Sequence, residues 1–469
     1  MIEQVLQRTE VLQELKVVKA ELLRAPGSRR GAADLALPEV TIEGEKVELT
    51  EDDLSFAVAE LEKAEANEKA HSSGQPGFAA YSNRRGKAAT PLDNRAFVSR
   101  EPAIGLLQSA LELYHLDKKP ATLGRAASIR RGTEEWRPTA TRRLLNKFSQ
   151  TDPRWVASAV AMGLKLFRKP HPFKETPVDV RIGNQARMIV VGDWGSGIDR
   201  AQKIGKMMTA AIDEGRRDGR EQHVVHLGDV YYSGWGWECQ RRFLDYWPVK
   251  TDEADSISSW SLNGNHDMYS GGYGYFDRVL AEPRFHRQGG GSYFRLFNDA
   301  WQLLGLDSAH TENALRGPQS EWIRQHTTDS KRKTMLMSHH QPFTVYEKHA
   351  LKVDPILQGV LDQGAIDAWL FGHEHRCVLY TGHMGIKYPR LVGHGGVPVY
   401  MGHKETEPFA APVQYEYRKY IPGGLGGIEH WAPFGFAVLD FNGPKIEARY
   451  FYEDGFVYPA KDKPADVIQ

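Results

Sequence analysis

A chain of 469 residues whose 60 Lys and Arg balance 60 Asp and Glu has no global electrostatic reason to bind nucleic acid or an acidic membrane, and its length predicts two domains rather than one core. Two distant cysteines, Cys239 and Cys377, give neither a disulfide framework nor a CxxC zinc pattern, so reduced, partly buried thiols are expected. No apolar run is long enough to predict a helical membrane span, and Met1 to Val5 does not open a basic-then-apolar leader; a cytoplasmic location is expected.

Residues 1–175 show no recognisable chemistry and are expected to form a mainly helical region. Val5, Leu12, Leu15, Val18 and Leu22 recur at helical spacing, and Ala25-Pro26-Gly27 ends that pattern. Thr50 with Asp53 reads as a capping box ahead of Leu54, Val58 and Leu61. His71 to Asn94 is rich in Ser, Gly, Pro and Arg and reads as an exposed linker. Pro102 occupies the place of a first-turn proline. Another helix is expected to begin at Asp152-Pro153 and run through Trp155, Val160, Leu164 and Phe167, with this region packing on the next and shaping access to it. From Lys118 to Pro170 basic residues exceed acidic ones; a solvated helical surface is the expected meaning, a phosphate-rich partner the alternative.

A second domain is expected over 176–460. Met188 to Val191 is an apolar run that delivers Gly192-Asp193-Trp194-Gly195, as a buried strand delivers a carboxylate to its C-terminal edge. The design recurs. His223 to Leu227 precedes Gly228-Asp229-Val230-Tyr231-Tyr232, and Trp260 to Leu262 precedes Asn263-Gly264-Asn265-His266-Asp267. Thr334 to Ser338 precedes His339-His340, and Ala368 to Phe371 precedes Gly372-His373-Glu374-His375. A helix from about Asp199 to Arg216 between the first two strands predicts parallel neighbours. Farther on, Ser292 to Leu296 and Trp301 to Leu306 read as an antiparallel pair around Asn298-Asp299. Gln319 to Gln325 and Asp354 to Leu361 read as short helices. Strands at 389–392, 435–441 and 445–451 close the pattern. The expected fold is α/β in four layers, two packed mixed sheets flanked by helices.

Asp, Asn and His at successive strand ends are what a two-cation site needs, because one carboxylate can serve two metals while amide oxygen and imidazole complete the shells. GDWG, GDVYY, GNHD, SHH and GHEH, in this order, resemble the calcineurin-like metallophosphoesterase superfamily, and GDWG with GDVYY resembles its purple acid phosphatases. The resemblance implies metal-dependent phosphoester hydrolysis with a metal-activated water or hydroxide as nucleophile. It implies that Asp193 binds the first metal and Asp229 bridges both. Tyr232, at the GDxxY spacing, would supply a phenolate to the first metal, with Tyr231 as the alternative. Asn265, His339 and His373 would hold the second metal, with His340 as the alternative to His339, and His375 the first. His266 would not be a ligand but would face the phosphate and its leaving group.

Phosphate monoesters are the expected substrates, in small phosphorylated molecules. A phosphodiesterase or nuclease on the same site is the alternative, and a non-catalytic binding module a third reading. Iron with zinc or manganese is the expected metal pair, two manganese ions the second choice. His226 is expected to be a core residue, Asp307 a loop buttress, and Tyr269, Tyr273 and Tyr275 either pocket lining or loop filling. His394 is read either as reaching the substrate or as a turn residue.

Overall fold

The computed structural model describes residues 8–24, 41–42, 45–46, 49–73, 99–117, 153–346, 350–399, 401–423 and 429–469. The chain divides into two compact units, one from Val5 to Lys169 and one whose body runs from Pro170 to Gln469.

In the first unit the described residues form α1 (Arg8–Arg24), α2 (Glu51–Ser73), α3 (Pro102–Asp117) and α4 (Pro153–Arg168), with a two-stranded ribbon of Thr41–Ile42 and Glu45–Lys46. Thr50 caps α2: its hydroxyl accepts from the Asp53 amide at 3.2 Å, and the Asp53 carboxylate accepts from the Thr50 amide at 2.9 Å. The buried stripe of α2 is Ala57, Leu61 and Ala64. The expected Leu54 and Val58 are only half-buried, so the buried side is rotated toward small residues. Val156, Val160 and Leu164 of α4 are buried, and the helix packs against α1, α2 and α3. Because α2 continues to Ser73, the first residues of the expected linker are helical. Residues 74–94 of that linker and 118–152 of the basic stretch lie outside the described residues.

The second unit contains two large sheets. One has the order β11 (Val413–Glu416), β9 (Cys377–Tyr380), β10 (Ile386–Val392), β8 (Ile366–Phe371), β7 (Lys333–Ser338), β6 (Trp301–Gly305), β5 (Phe294–Phe297) and β1 (Val178–Arg181). The other has the order β14 (Val457–Tyr458), β13 (Lys445–Tyr452), β12 (Gly435–Asn442), β2 (Ala186–Val191), β3 (Glu221–His226) and β4 (Ile257–Ser261), with β15 (Asp466–Ile468) also on β13. Strands β2, β3 and β4 are mutually parallel, as are β6, β7, β8 and β10. β5 and β6 form the expected antiparallel pair.

Alternation along the strands makes four layers. Met188, Val190, Val225 and Trp260 of one sheet join Leu303, Met335, Met337 and Leu370 of the other in the inner core. The opposite residues, Ile189, Val191 and Val224, pack against Ile204, Met208 and Ile212 of α5 (Asp199–Arg217). On the far side Leu304, Leu336 and Trp369 pack against Ile323 of α6 (Gln319–Thr327) and Leu357 and Val360 of α7 (Pro355–Asp362). Both faces of each sheet are covered, which is why its strands read as continuous apolar runs. The result is the two-sheet sandwich flanked by helices that the sequence predicts.

Candidate metal centre

Parallel strands present their carboxyl ends along one edge, where α/β sheets hold ligands. Asp193, Asp229 and Asn265 leave β2, β3 and β4 of one sheet. His339 and the pair His373 and His375 leave β7 and β8 of the other. The exits are conformationally forced: Asp193 (φ 56°), Asp229 (φ 78°), His373 (φ 76°) and His375 (φ 51°) all adopt left-handed backbone. Such residues cost about 1–3 kcal/mol each and cluster where function over-determines the chain. Glycine is required beside them. A Cβ at Gly264 would collide with the Asp229 carboxylate, and one at Gly393 would lie 2.7 Å from Asp193 Oδ2.

The polar atoms fall into two groups that meet at Asp229. In the first, Tyr231 Oη is 3.0 Å from Asp193 Oδ1, 2.9 Å from Asp229 Oδ2 and 3.1 Å from His375 Nε2, and His375 Nε2 is 3.5 Å from Asp193 Oδ1. In the second, His339 Nε2 is 3.0 Å from Asn265 Oδ1, 3.1 Å from His373 Nδ1 and 3.4 Å from Asp229 Oδ2. Asp193, Asp229, His339 and His266 are at most 1% exposed, so the groups interact away from bulk water. Seven of the eight sequence-assigned residues are thus brought to one place: Asp193, Asp229, Asn265, His266, His339, His373 and His375.

Tyr232 is the exception: it is the alternative, its neighbour Tyr231, whose hydroxyl meets Asp193, Asp229 and His375. Tyr231 places its hydroxyl between the two carboxylates, while the ring of Tyr232 lies under the Arg242 guanidinium, 4.7 Å from it. The backbone explains the choice. The Tyr231 amide donates to Gly195 O at 3.0 Å, whereas the Tyr232 amide is drawn the other way, to Glu238 Oε1 at 2.6 Å. Burial and the charges of Asp193 and Asp229 hold the Tyr231 hydroxyl well above the ordinary phenol range; a nearby cation would act in the opposite direction.

His266 is oriented from both ends. Its amide donates to Asp229 Oδ1 at 2.9 Å, and its Nδ1 meets Tyr232 O at 2.6 Å, which puts the ring proton on Nδ1. Tyr231 and Tyr269 flank the ring, with centroids 4.5 Å and 4.6 Å away. Asp267 buttresses the site: its carboxylate accepts from the amides of Asp229, Val230 and Gly264. Burial and the Asp229 charge push its pKa up.

The remaining candidates divide cleanly. His340 Nδ1 is 3.0 Å from Ser308 Oγ, and His339, His340 and His373 have ligand atoms within 4.8 Å of one another. His339 belongs also to the group with Asp193 and Asp229, so it is the histidine shared by both clusters. His226 is core, its ring tilted against that of Phe243 with centroids 4.6 Å apart. His394 is buried against Tyr452, 5.2 Å between rings, and neither ring nitrogen has a hydrogen-bond partner among the described residues. Asp307 Oδ1 accepts from the Ala309 and His310 amides, a loop buttress. Tyr269 accepts from Asn265, while Tyr275 donates to Ser261 O inside the fold and Tyr273 meets His171 edge-on.

The donor set fits a pair of cations. His339 Nδ1 faces the Leu227 carbonyl at 3.0 Å and so carries the ring proton, leaving a lone pair on Nε2. Asn265 Nδ2 donates to Tyr269 Oη at 2.7 Å, which turns Oδ1 toward that same lone pair. Oδ1, the Asp229 carboxylate and two imidazoles then converge as electron donors. A proton on His373 can relieve one of those contacts and not the others, whereas a cation relieves them together. Oxygen and imidazole donors without thiolate suit first-row metals such as iron, zinc or manganese.

The family model of the calcineurin-like phosphoesterases matches residues 186–377, the span that contains every residue of this centre. That match and the site support a phosphoesterase enzyme, and the matched family works through a dinuclear metal centre. No curated protein matches the chain. Among solved structures the chain is similar to GAP50, the anchor in the inner membrane complex of Plasmodium, at 12% identity over 60% of this chain and 89% of that one, with a TM-score of 0.43. It is similar to a dimetal phosphatase from Danio rerio at 14% identity over 61% and 98%, TM-score 0.39. A third likeness is Vps29 from Entamoeba histolytica in complex with zinc, at 12% identity over 58% and 95%, TM-score 0.27.

Three contributing residues were given no role by the sequence: Asp267, Glu238 and Arg242. Glu238 alone had a local signal. It is the third residue of the helical turn that begins at Gly236, where a carboxylate reaches back to the amide at the start of the turn.

Proposed function

We propose that this centre hydrolyses phosphate monoesters of small molecules. The observation that carries the reading is Asp229, whose Oδ2 is 2.9 Å from Tyr231 in one ligand group and 3.4 Å from His339 in the other. Asp193, Tyr231, His375 and Asp229 would hold one cation, and Asn265, His339, His373 and Asp229 the second. Bound there, the pair would activate water and neutralise charge on the phosphoryl group. A tyrosine beside two aspartates favours a hard cation, so iron with zinc or manganese is the first choice, as in the purple acid phosphatases, and two manganese ions the second.

The chain's own residues do the rest. With the Nδ1 proton of His266 committed to Tyr232 O, Nε2 is the atom that can give a proton to the leaving oxygen. The Asp229 contact to the His266 amide fixes the distance between metal-binding and proton-donating groups. The test is hydrolysis of an aryl phosphate and of a bis-aryl phosphate diester, with metals quantified on the same sample. Faster monoester turnover that rises with metal loading is expected. Diester turnover exceeding it would transfer the site to phosphodiesters, and no metal-dependent turnover of either would overturn the reading.

A further inference from the structure

The turn that carries Tyr231 is gripped from both edges by one short helical segment. Gly236–Glu238 begins that segment and Cys239–Phe243 continues it. Glu238 is fully buried. Its Oε1 accepts from the Tyr232 amide at 2.6 Å, and its Oε2 accepts from Ser233 at 3.0 Å and Trp235 at 3.1 Å. One helical turn later, Arg242 Nη1 donates to the Tyr231 carbonyl at 3.0 Å. The guanidinium is held over the rings of Tyr232 and Trp237, at 4.7 Å and 5.8 Å.

We propose that Glu238 and Arg242 form a clamp that positions the Tyr231 hydroxyl between Asp193 and Asp229. The peptide joining Tyr231 to Tyr232 is the piece held: its carbonyl is bound by Arg242 and its amide by Glu238. With both ends of that peptide fixed, the Tyr231 ring is aimed at the carboxylates and Tyr232 is turned beneath the arginine. Among the described residues Glu238 and Arg242 make their hydrogen bonds to the backbone of the 231–235 turn, so both act as positioning residues. A carboxylate suits the task where an amide does not, because three N–H groups are accepted across its two oxygens. In Glu238→Gln one oxygen becomes an NH₂ group facing a backbone donor, with almost no change in volume.

This inference rests on Tyr231 being a metal ligand, and the experiment separates the two. Glu238→Gln, Arg242→Met, Arg242→Lys and Tyr231→Phe are compared with the natural chain, and Glu238→Gln is also combined with Tyr231→Phe. Turnover, metals per chain and amide hydrogen exchange over 231–235 are read on each. Glu238→Gln and Arg242→Met are expected to lower turnover or metal affinity about 10–100-fold, the range for outer partners of metal ligands. Arg242→Lys is expected to recover part of the loss through its remaining donor. Exchange over 231–235 is expected to quicken in Glu238→Gln. In the Tyr231→Phe background the same change is expected to cost less than about twofold, because residues acting through one another are not additive. Equal loss in both backgrounds would overturn the clamp, as would unchanged exchange with unchanged turnover. Unchanged turnover and metal content in Tyr231→Phe would overturn the ligand reading itself and the clamp's role with it, while the exchange data would still report whether Glu238 holds the turn.

Discussion

The hydroxyl of Tyr231 reaches the Asp229 carboxylate at 2.9 Å, although the two residues lie in a single turn. A strand exit at φ 78° swings the Asp229 side chain back over the chain that follows it. The phenol therefore meets both this carboxylate and that of Asp193, on the neighbouring strand end. The first prediction follows. Tyr231→Phe should lower turnover and metal affinity, and in a sample containing ferric iron it should remove the visible phenolate-to-iron band. Tyr232→Phe should leave that band in place. Absorption spectra of the two variants decide between them, and loss of the band only in Tyr232→Phe would restore the spacing-based assignment.

His266 gives the second prediction. His266→Asn should keep both metals and slow hydrolysis by roughly 10²–10⁴-fold for poor leaving groups, the usual contribution of a positioned acid. The deficit should shrink as the leaving group's pKa falls. A series of aryl phosphates measures this directly, and a deficit that is constant across the series would make His266 a scaffold residue.

His394 links the fold to pH. Burial pulls its pKa down to about 3. Below the ordinary histidine pKa the unfolded chain binds a proton that the folded chain refuses, so stability is fully present above about pH 6.5 and falls as pH drops toward 3. At pH 5 the penalty is about 2 kcal/mol. His394→Leu should therefore flatten the decline of Tm between pH 7 and pH 5. An unchanged slope would mean that other groups dominate the acid sensitivity.

Much of this was legible in the sequence for a physical reason. Strands covered on both faces read as apolar runs, and each run here ends at a polar motif, so the β2, β3, β4, β7 and β8 exits could be placed without coordinates. The four-layer sandwich followed from mixed strands with helices placed between them. Which of two adjacent tyrosines faces the site was not legible. That choice depends on Glu238 taking the Tyr232 amide, a contact made by residues outside the motif. The tautomer of His339 was equally hidden, since it is fixed by the carbonyl of Leu227. In α2 Leu61 is buried at the expected spacing, while Leu54 and Val58 are half-buried because the small residues Ala57 and Ala64 share its buried side.

Asp229 joins the two ligand groups, so the most direct measurement is metal stoichiometry and aryl phosphate turnover in the natural chain and in Asp229→Asn, which preserves shape and removes the charge. The account predicts two metals per chain in the natural protein and one or none in the variant. It predicts a loss of turnover larger than the roughly 10–100-fold of an outer-partner change. Two tightly held metals and undiminished turnover in Asp229→Asn would contradict it.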